Sequence, residues 1–355
     1  MHLYKSPGAA SISPMLRWFM IVVVAVCATA IAPARQSSGY HVVRRYPLGG
    51  DGGWDYLLLD PGSRRLYVSR GTHVVVIDAD SGVRRGEIPN TPGVHGVALA
   101  PDVGRGATSN GRDGSVTIFD VQSLQALGRV RTTGGNPDAI VYEPATHRVF
   151  TFNGAGQNAT AIDLMAGAVA GTVALGGKPE FAVAPGDGRI FVNIENTAEL
   201  VVLDARRLAV AARWPLAPCE EPTGLSLDAA HARLFVGCSN RLMVVVDPGS
   251  GRVVAKLPIG GAVDGTAFDP GTGLAFSSNG EGTLTVVREV SPDSFAVVDT
   301  VPTQRGARTL ALDPRTHAVF LATADFGPAP APTPEQPRPR PVVVPGTFVI
   351  LVVGR

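Results

Sequence analysis

A short motif recurs along this chain at intervals close to forty residues. In each copy an acidic or small residue, often followed by proline, precedes an aromatic anchor by seven positions, as in DPGSRRLY and DPGTGLAF. Successive anchors are separated by 40, 43, 41, 44, 41 and 44 residues. So regular a period indicates a repeat architecture. The anchors are Tyr67, Ala107 (in a degenerate copy), Phe150, Phe191, Phe235, Phe276 and Phe320.

Each repeat contains four short apolar runs. The first resembles DAIVYE, the second carries the anchor, as in RVFTFN, the third often ends in an apolar-Asp pair, as in SVTIFD, and the fourth resembles VVAKLPI. The chain has 42 Gly and 29 Pro, and it lacks a long amphipathic stripe, which favours short strands joined by turns. Four strands in about forty residues describe one blade of a β-propeller.

The two ends of the chain complete each other. The last repeat stops at its third run, TFVILVV (347–353), and the segment HVVRRYPL (41–48) resembles the missing fourth run. A blade cannot cover both of its faces alone, so the blades must close into a ring. The sequence therefore predicts an all-β, seven-bladed propeller whose N-terminal strand joins the C-terminal blade.

Residues 1–34 have a different composition and are predicted to be a secretory signal peptide. Lys5 and Arg17 precede an apolar run, and two Ala-x-Ala cleavage candidates follow it. The run spans about 14 residues, short of the ~20 that a membrane-spanning helix needs, so cleavage is favoured over an uncleaved anchor. The true start is Met1 or Met15. The propeller then occupies residues 35–355, without a membrane span, in the periplasm or outside the cell.

The charge of the mature chain argues against some partners. The whole sequence has a formal net charge of +1, and loss of Lys5 and Arg17 changes this to −1. No basic run attracts the chain to nucleic acid or to anionic lipid. The few Tyr and Trp residues give no sign of a base-stacking groove. We expect a monomer that does not bind nucleic acid.

Two cysteines, Cys219 and Cys238, remain after signal cleavage. An even number of cysteines in an exported protein predicts a disulfide, with buried thiols or a metal pair as alternatives. Both cysteines belong to the fifth repeat, at its loop face. A bond between them would hold the CEEP loop, which carries Glu221.

The second runs RLYVSR and RLFVGC, together with third runs such as VVVID, resemble those of the YVTN or YncE-like seven-bladed propellers of bacteria. The resemblance covers essentially all of the mature chain. It implies the fold and agrees with export. Because these motifs consist of packing and turn residues, they imply little about activity. The DNA binding associated with one relative is not carried over, since the chain has no basic-aromatic motif.

A column of polar residues lies twelve positions before the anchors, where each innermost strand begins. Carboxylates that converge there would bind a cation, share protons or repel one another. The column therefore predicts a polar-ligand or divalent-cation site at the channel mouth, with His95 as base or ligand and Arg308 as anion partner. The alternative is that each Asp caps a strand start. The residues are Asp55, His95, Asp138, Pro179, Thr223, Asp264 and Arg308, with Trp54, Glu180 and Glu221 beside them.

Oxygen ligands with a single histidine would favour Ca²⁺ or Mg²⁺ over Zn²⁺. The predicted metal ligands are Asp138, Glu180, Glu221 and Asp264. A second tier, three positions after the anchors, contains Asn110, Asn153 and Asn279, each followed by Gly. Asn-Gly is first a tight-turn signal, although the carboxamides could also face the mouth and bind hydroxyl groups.

The last repeat contains an insert, residues 325–346, with eight prolines. Such a segment favours polyproline II and would be either a solvated insert or a semi-rigid flap beside the mouth. Its charged residues of interest are Asp325, Arg338 and Arg340.

Three functions fit the sequence. The first is an exported propeller that binds a small polar ligand, a cation or a protein partner at its mouth. The second is a lactonase-like hydrolase in which channel-bound Ca²⁺ or Mg²⁺ activates water and His95 is the base. The third is a cell-envelope scaffold that docks other proteins.

Overall fold

A computed structural model describes residues 38–333, 339 and 341–355 of the chain. The chain has two compact units, and these residues all belong to the second, Arg35–Arg355. The predicted signal peptide, Arg338 and Arg340 lie outside the described residues. In the described part of the chain, no helix has both the length and the apolar character needed to cross a bilayer.

The described residues form seven four-stranded antiparallel sheets, as the repeat predicts. Blade 1 consists of β2 (Leu57–Asp60), β3 (Arg65–Ser69), β4 (Val74–Asp78) and β5 (Arg84–Ile88). Blade 2 consists of β6 (Val94–Ala100), β7 (Arg105–Asn110), β8 (Ser115–Asp120) and β9 (Ala126–Arg131). Blade 3 consists of β10 (Pro137–Glu143), β11 (Arg148–Asn153), β12 (Asn158–Asp163) and β13 (Ala168–Ala174). Blades 4 and 5 consist of β14 (Pro179–Val183), β15 (Arg189–Ile194), β16 (Glu199–Asp204), β17 (Ala209–Pro215); and β18 (Pro222–Asp228), β19 (Arg233–Cys238), β20 (Leu242–Val246), β21 (Val253–Pro258).

Blade 6 consists of β22 (Val263–Asp269), β23 (Leu274–Asn279), β24 (Thr283–Ser291) and β25 (Ser294–Pro302). Blade 7 consists of β26 (Leu310–Leu312), β27 (Val319–Thr323), β28 (Val349–Gly354) and, as its outer strand, β1 (His41–Pro47). In this closing blade His41 pairs with Gly354 and Tyr46 with Ile350. The predicted closure of the ring is confirmed. Two 3₁₀ turns, Pro101–Val103 and Glu195–Thr197, complete the regular structure of the described residues.

The anchors explain the forty-residue period, because each one packs between its own blade and the next. Phe276 in blade 6, for example, shares an apolar cluster with Val319, Leu321 and Leu351 of blade 7. Seven such clusters lie between neighbouring blades of the described ring. The anchor on the second strand of each repeat, bulky in every repeat but the second, therefore covers one face of the following sheet.

Most of the recurrent aspartates form turns. At the end of the third strand in blade 3, Asp163 Oδ1 accepts hydrogen bonds from the N–H groups of Met165 (2.8 Å) and Ala166 (2.9 Å). This Asx turn fixes the hairpin to the fourth strand. The same bonds recur at Asp78, Asp120, Asp204 and Asp247.

The predicted disulfide is present between Cys219 and Cys238, with Cα atoms 5.4 Å apart. Both residues are buried. The bond joins the loop that enters blade 5 to the end of β19, so the position of that loop is fixed by a covalent link.

Replacing both cysteines by serine is expected to lower the free energy of unfolding by about 2–4 kcal/mol, because the crosslink restricts the unfolded chain. Urea unfolding of the oxidised proteins measures this loss. A reducing agent should bring the wild type to the stability of the double variant and leave the variant unchanged. Equal stability of the two oxidised proteins would show that the bond does not stabilise the fold.

Candidate functional site

Six side chains of the predicted column meet at one end of the central channel. They lie at the start of, or just before, the inner strands of six of the seven blades. In blades 2, 3, 4 and 6 the ladder between the first and second strands is interrupted at this point. Such bulges redirect side chains out of the regular alternation. We call this group the mouth cluster: Asp55, His95, Asp138, Glu180, Asp264 and Arg308.

Positive and negative groups alternate through the mouth cluster. His95 Nδ1 lies 2.5 Å from Asp55 Oδ2 and 3.7 Å from Asp138 Oδ1. Arg308 Nε lies 3.1 Å from Asp264 Oδ2, and its terminal nitrogen lies 3.7 Å from Asp55 Oδ1. Asp55 is therefore held between the imidazole and the guanidinium, and Asp138 and Asp264 lie at the two ends of the chain of charges.

Glu180 is paired with a cation that the sequence analysis missed. Lys178 Nζ lies 2.7 Å from Glu180 Oε1 and also contacts the carboxylate of Glu195. Lys178 stands two residues before Glu180 in the loop that enters blade 4, so adjacency in sequence was the available signal. With Glu195 included, five carboxylates face three cationic side chains.

The mouth carboxylates differ from the turn-forming aspartates. Among the described residues, no backbone N–H donates a hydrogen bond to the side chain of Asp55, Asp138 or Asp264, whereas Asp163 and its equivalents accept two each. The backbone at these positions instead accepts hydrogen bonds from hydroxyl groups. For example, Thr309 Oγ1 donates to the backbone carbonyl oxygen of Asp55 at 2.8 Å. The strand-cap alternative therefore does not describe these three carboxylates.

Burial and mutual repulsion raise the pKa values of the mouth acids. Burial, with the negative charge of Asp55, raises the pKa of Asp138, although the charge of His95 opposes the shift. Burial and the charge of Asp138 raise the pKa of Glu180. Burial raises the pKa of Asp264 to about 7 against the opposing charge of Arg308. The cations around these three acids are therefore too few or too distant to offset the effect of burial on their pKa values.

His95 is shifted in the direction of its charged form. Burial lowers its pKa, but the hydrogen bond to Asp55 and the charge of Asp138 outweigh burial and raise the pKa to about 9. At neutral pH the ring is therefore an imidazolium without a free lone pair. This protonation argues against His95 as a general base or a metal ligand unless a bound group displaces the proton.

These shifts predict a stability that falls with rising pH. The stabilisation from His95 is fully present below its ordinary pKa of 6.5 and is lost as the pH rises through about 9. Asp264, with its folded-state pKa raised to about 7, acts in the same direction at lower pH. Urea unfolding of the wild type and His95→Gln at about pH 6 and about pH 9.5 tests this. The two proteins should differ most at the lower pH, and a difference independent of pH would contradict the assignment.

Below the mouth cluster the channel is crossed by two aromatic rings. Tyr56 of blade 1 and Phe181 of blade 4 meet edge to face with centroids 4.9 Å apart. Beyond the rings, an apolar cavity of about 700 Å³ is lined by inner strands and reaches the turns after them, at Pro61, Pro101 and Pro144. The rings therefore separate a polar mouth from an apolar lower chamber.

The three predicted asparagines are fully buried and bonded within their own blades. Asn110 Nδ2 donates to Ser115 Oγ (3.1 Å) and Thr117 Oγ1 (2.9 Å), and its oxygen accepts from Thr108 Oγ1 (2.8 Å). Equivalent networks surround Asn153 and Asn279. Their carboxamides are thus used to tie the second strand to the third. The hydroxyl residues two positions before each Asn were the sequence signal for this role.

Trp54 packs against residues at the two ends of the proline-rich insert. Its ring lies 5.3 Å from that of Phe348 and 6.1 Å from that of Phe326, which begins the insert. The ends of the insert are joined by hydrogen bonds from Gly327 N to Val342 O and from Val344 N to Asp325 O, both 2.8 Å. The two ends of the insert therefore lie together beside Trp54.

The remaining predicted residues lie apart from the mouth cluster. Glu221 is exposed in the loop that the disulfide holds. Thr223 Oγ1 donates to Val263 O at 3.0 Å, and Pro179 begins β14. The proposed ligand set Asp138, Glu180, Glu221 and Asp264 does not form one close group in the described residues. The acids and imidazole whose ligand atoms approach within 4.8 Å at the mouth are Asp55, His95 and Asp138.

No protein-family model matches this chain. No curated protein matches its sequence either. Solved structures match its fold. A structure of RRP9 WD40 repeats aligns with a TM-score of 0.72 and 11% identity over 90% of this chain and 99% of that chain. A chain of a mitotic checkpoint complex aligns with a TM-score of 0.70 and 16% identity, over 86% of this chain and 95% of that chain. A chain of Kuenenia stuttgartiensis hydrazine synthase aligns with a TM-score of 0.66 and 15% identity, over 76% of this chain and 92% of that chain. At such identities the likeness concerns the fold alone, that of a seven-bladed β-propeller.

Proposed function

We propose that this protein is an exported, YVTN or YncE-like propeller that binds a small polar ligand in the mouth cluster. The ligand carries a cationic group or several hydrogen-bond donors, because the cluster has more carboxylates than cations. The N-terminal segment and the disulfide Cys219–Cys238 support export, since disulfides persist in oxidising compartments.

The observation that carries this proposal is the state of Asp138. Its Oδ1 is buried and accepts no hydrogen bond from any described residue. His95 Nδ1, which points toward it, is 3.7 Å away and is already bonded to Asp55. A buried carboxylate oxygen without a donor is costly, and a ligand N–H or O–H would remove that cost. An ammonium group would also neutralise the excess negative charge.

Ligand-dependent thermal stability tests the proposal. The purified chain from residue 35, produced in an oxidising compartment, is heated with primary amines, polyols and sugars in turn. At least one class should raise the melting temperature of the wild type. The rise should disappear in Asp138→Asn and persist in Glu221→Gln, which removes the same charge from an exposed loop at the same face. If no class of probe shifts the wild type, the mouth cluster does not bind these ligands.

A metal-assisted, lactonase-like hydrolase is the second candidate. The observation that favours it is the approach of Asp55, His95 and Asp138 ligand atoms within 4.8 Å. A bound Ca²⁺ or Mg²⁺ would supply a water of lowered pKa, and His95 would first have to lose its proton. Chelator-treated protein heated with Ca²⁺, Mg²⁺, Mn²⁺ or Zn²⁺ distinguishes the candidates. A cation-specific rise lost in Asp138→Asn, together with lactone hydrolysis, would favour the enzyme.

A further inference from the structure

A second group of ligating side chains lies on the opposite face of the ring, between blades 5 and 6. Asp228 ends β18, His231 follows in the next turn, and Glu289 lies near the end of β24. Their ligand atoms lie within 4.8 Å of one another. His231 Nδ1 is 2.8 Å from Asp228 Oδ2 and 3.0 Å from Glu289 Oε1. We call these three residues the seam cluster.

The two carboxylates of the seam cluster are buried. The side chains of Asp228 and Glu289 are each 2% exposed. Asp228 Oδ1 accepts the Ala230 N–H at 2.9 Å. Neither oxygen of Glu289 accepts a hydrogen bond of regular geometry from the described residues, and its contact with His231 Nδ1 is an ion pair. Two buried carboxylates share one imidazole here, so this histidine alone cannot balance both negative charges.

The seam between blades 7 and 1 shows how the fold neutralises a comparable pair of acids. There Asp313 stands seven residues before its anchor, as Asp228 does, and Asp80 stands thirteen residues after its anchor, as Glu289 does. One terminal nitrogen of Arg64 lies 2.7 Å from both Asp80 Oδ1 and Asp313 Oδ2. A single cation therefore bridges the two acids.

Among the described residues, no side chain bridges the two acids of the seam between blades 5 and 6 in this way. Arg64 stands three residues before its anchor, and the residue in that position of blade 6 is Gly273. The nearby cation Arg233 is turned to other acceptors: its guanidinium donates to Pro292 O, Asp247 Oδ2 and Asp293 Oδ1. The position of the bridging charge is therefore not filled by a cationic side chain of the described residues.

We propose that the seam cluster binds a divalent transition cation of the Zn²⁺ class through Asp228, His231 and Glu289. Tetrahedral bonds of about 2.0–2.2 Å hold ligand atoms roughly 3.3–3.5 Å apart. The two contacts of His231 Nδ1, at 2.8 and 3.0 Å, need only a small opening to reach that spacing. One imidazole nitrogen with two carboxylates suits Zn²⁺ better than Ca²⁺ or Mg²⁺. The His231 side chain is 52% exposed, which leaves a solvent side for a water ligand.

Calorimetric titration of chelator-treated protein with Zn²⁺ tests this site. All proteins in this titration carry Asp138→Asn, so that Zn²⁺ bound at the mouth cluster does not add to the number of equivalents. We expect one equivalent of Zn²⁺ to bind, and binding to weaken by about tenfold or more in Glu289→Gln and in His231→Ala. His231 lies in an exposed turn, so its variant keeps the assay interpretable if Glu289→Gln fails to fold.

His317→Ala is the matched control. His317 occupies a turn of the same face and its Nδ1 lies 2.8 Å from Asp269 Oδ2, but no second acid joins them in the described residues. This variant should bind Zn²⁺ like its parent. Absence of Zn²⁺ binding, or equal binding by the Glu289, His231 and His317 variants, would overturn the proposal and leave a carboxylate pair that shares a proton.

Discussion

Deletion of residues 347–355 is expected to abolish cooperative folding. The deletion removes β28, which pairs with β1 on one side and with β27 on the other. It also removes Ile350, Leu351 and Val353, which are fully buried. Without this strand the seventh blade loses its centre, and two sheet edges face water. Circular dichroism, size-exclusion chromatography and thermal unfolding would show a non-native chain without a sharp transition.

Arg355→Ala is the control for this deletion, because Arg355 is exposed and follows the last strand. Its guanidinium lies 4.8 Å from the centre of the Tyr40 ring, a contact worth only about 0.5–1 kcal/mol at an exposed site. The variant should fold and melt nearly as the wild type does. A shortened chain that still unfolded cooperatively, with native β content, would show that ring closure does not depend on β28.

Replacement of Phe276 by alanine is expected to cost about 3–5 kcal/mol of the free energy of unfolding. The Phe276 ring is fully buried between blades 6 and 7 and meets the Tyr40 ring edge to face, with centroids 5.2 Å apart. The change removes apolar contacts from both blades and leaves a cavity that the rigid sheets cannot readily fill. Urea unfolding measures the loss.

Leu127→Ala provides the comparison for Phe276. Leu127 lies on the outer strand β9 and is 54% exposed, so its truncation should change the free energy of unfolding by no more than about 0.5 kcal/mol. Similar losses in the two variants would mean that the anchors do not carry the packing between blades. The forty-residue period would then have no energetic explanation.

The fold could be predicted because its causes are local and repeated. Strand alternation, Asx turns and an aromatic anchor in six of the seven repeats are visible in the sequence, and the unmatched strands at the two ends indicated closure. The column of mouth residues could be placed for the same reason. Its pairings could not, since His95 and Asp138 lie in interrupted ladders whose side-chain directions do not follow alternation.

Two further features depended on contacts between distant repeats. The ring contact of Tyr56 with Phe181 joins blades that are three repeats apart, and no periodic signal links them. Asn110, Asn153 and Asn279 form the predicted second tier but turn into their blades, because nearby hydroxyl groups form hydrogen bonds with them there. The asparagine positions were readable from the sequence, and the direction of the side chains was not.

The crossed rings of Tyr56 and Phe181 also determine how solutes reach the mouth cluster. With these rings in contact, the channel is narrowed between the mouth cluster and the lower chamber. A ligand of the mouth cluster wider than this constriction would enter and leave on the mouth side, and the lower chamber would be reached from the opposite face.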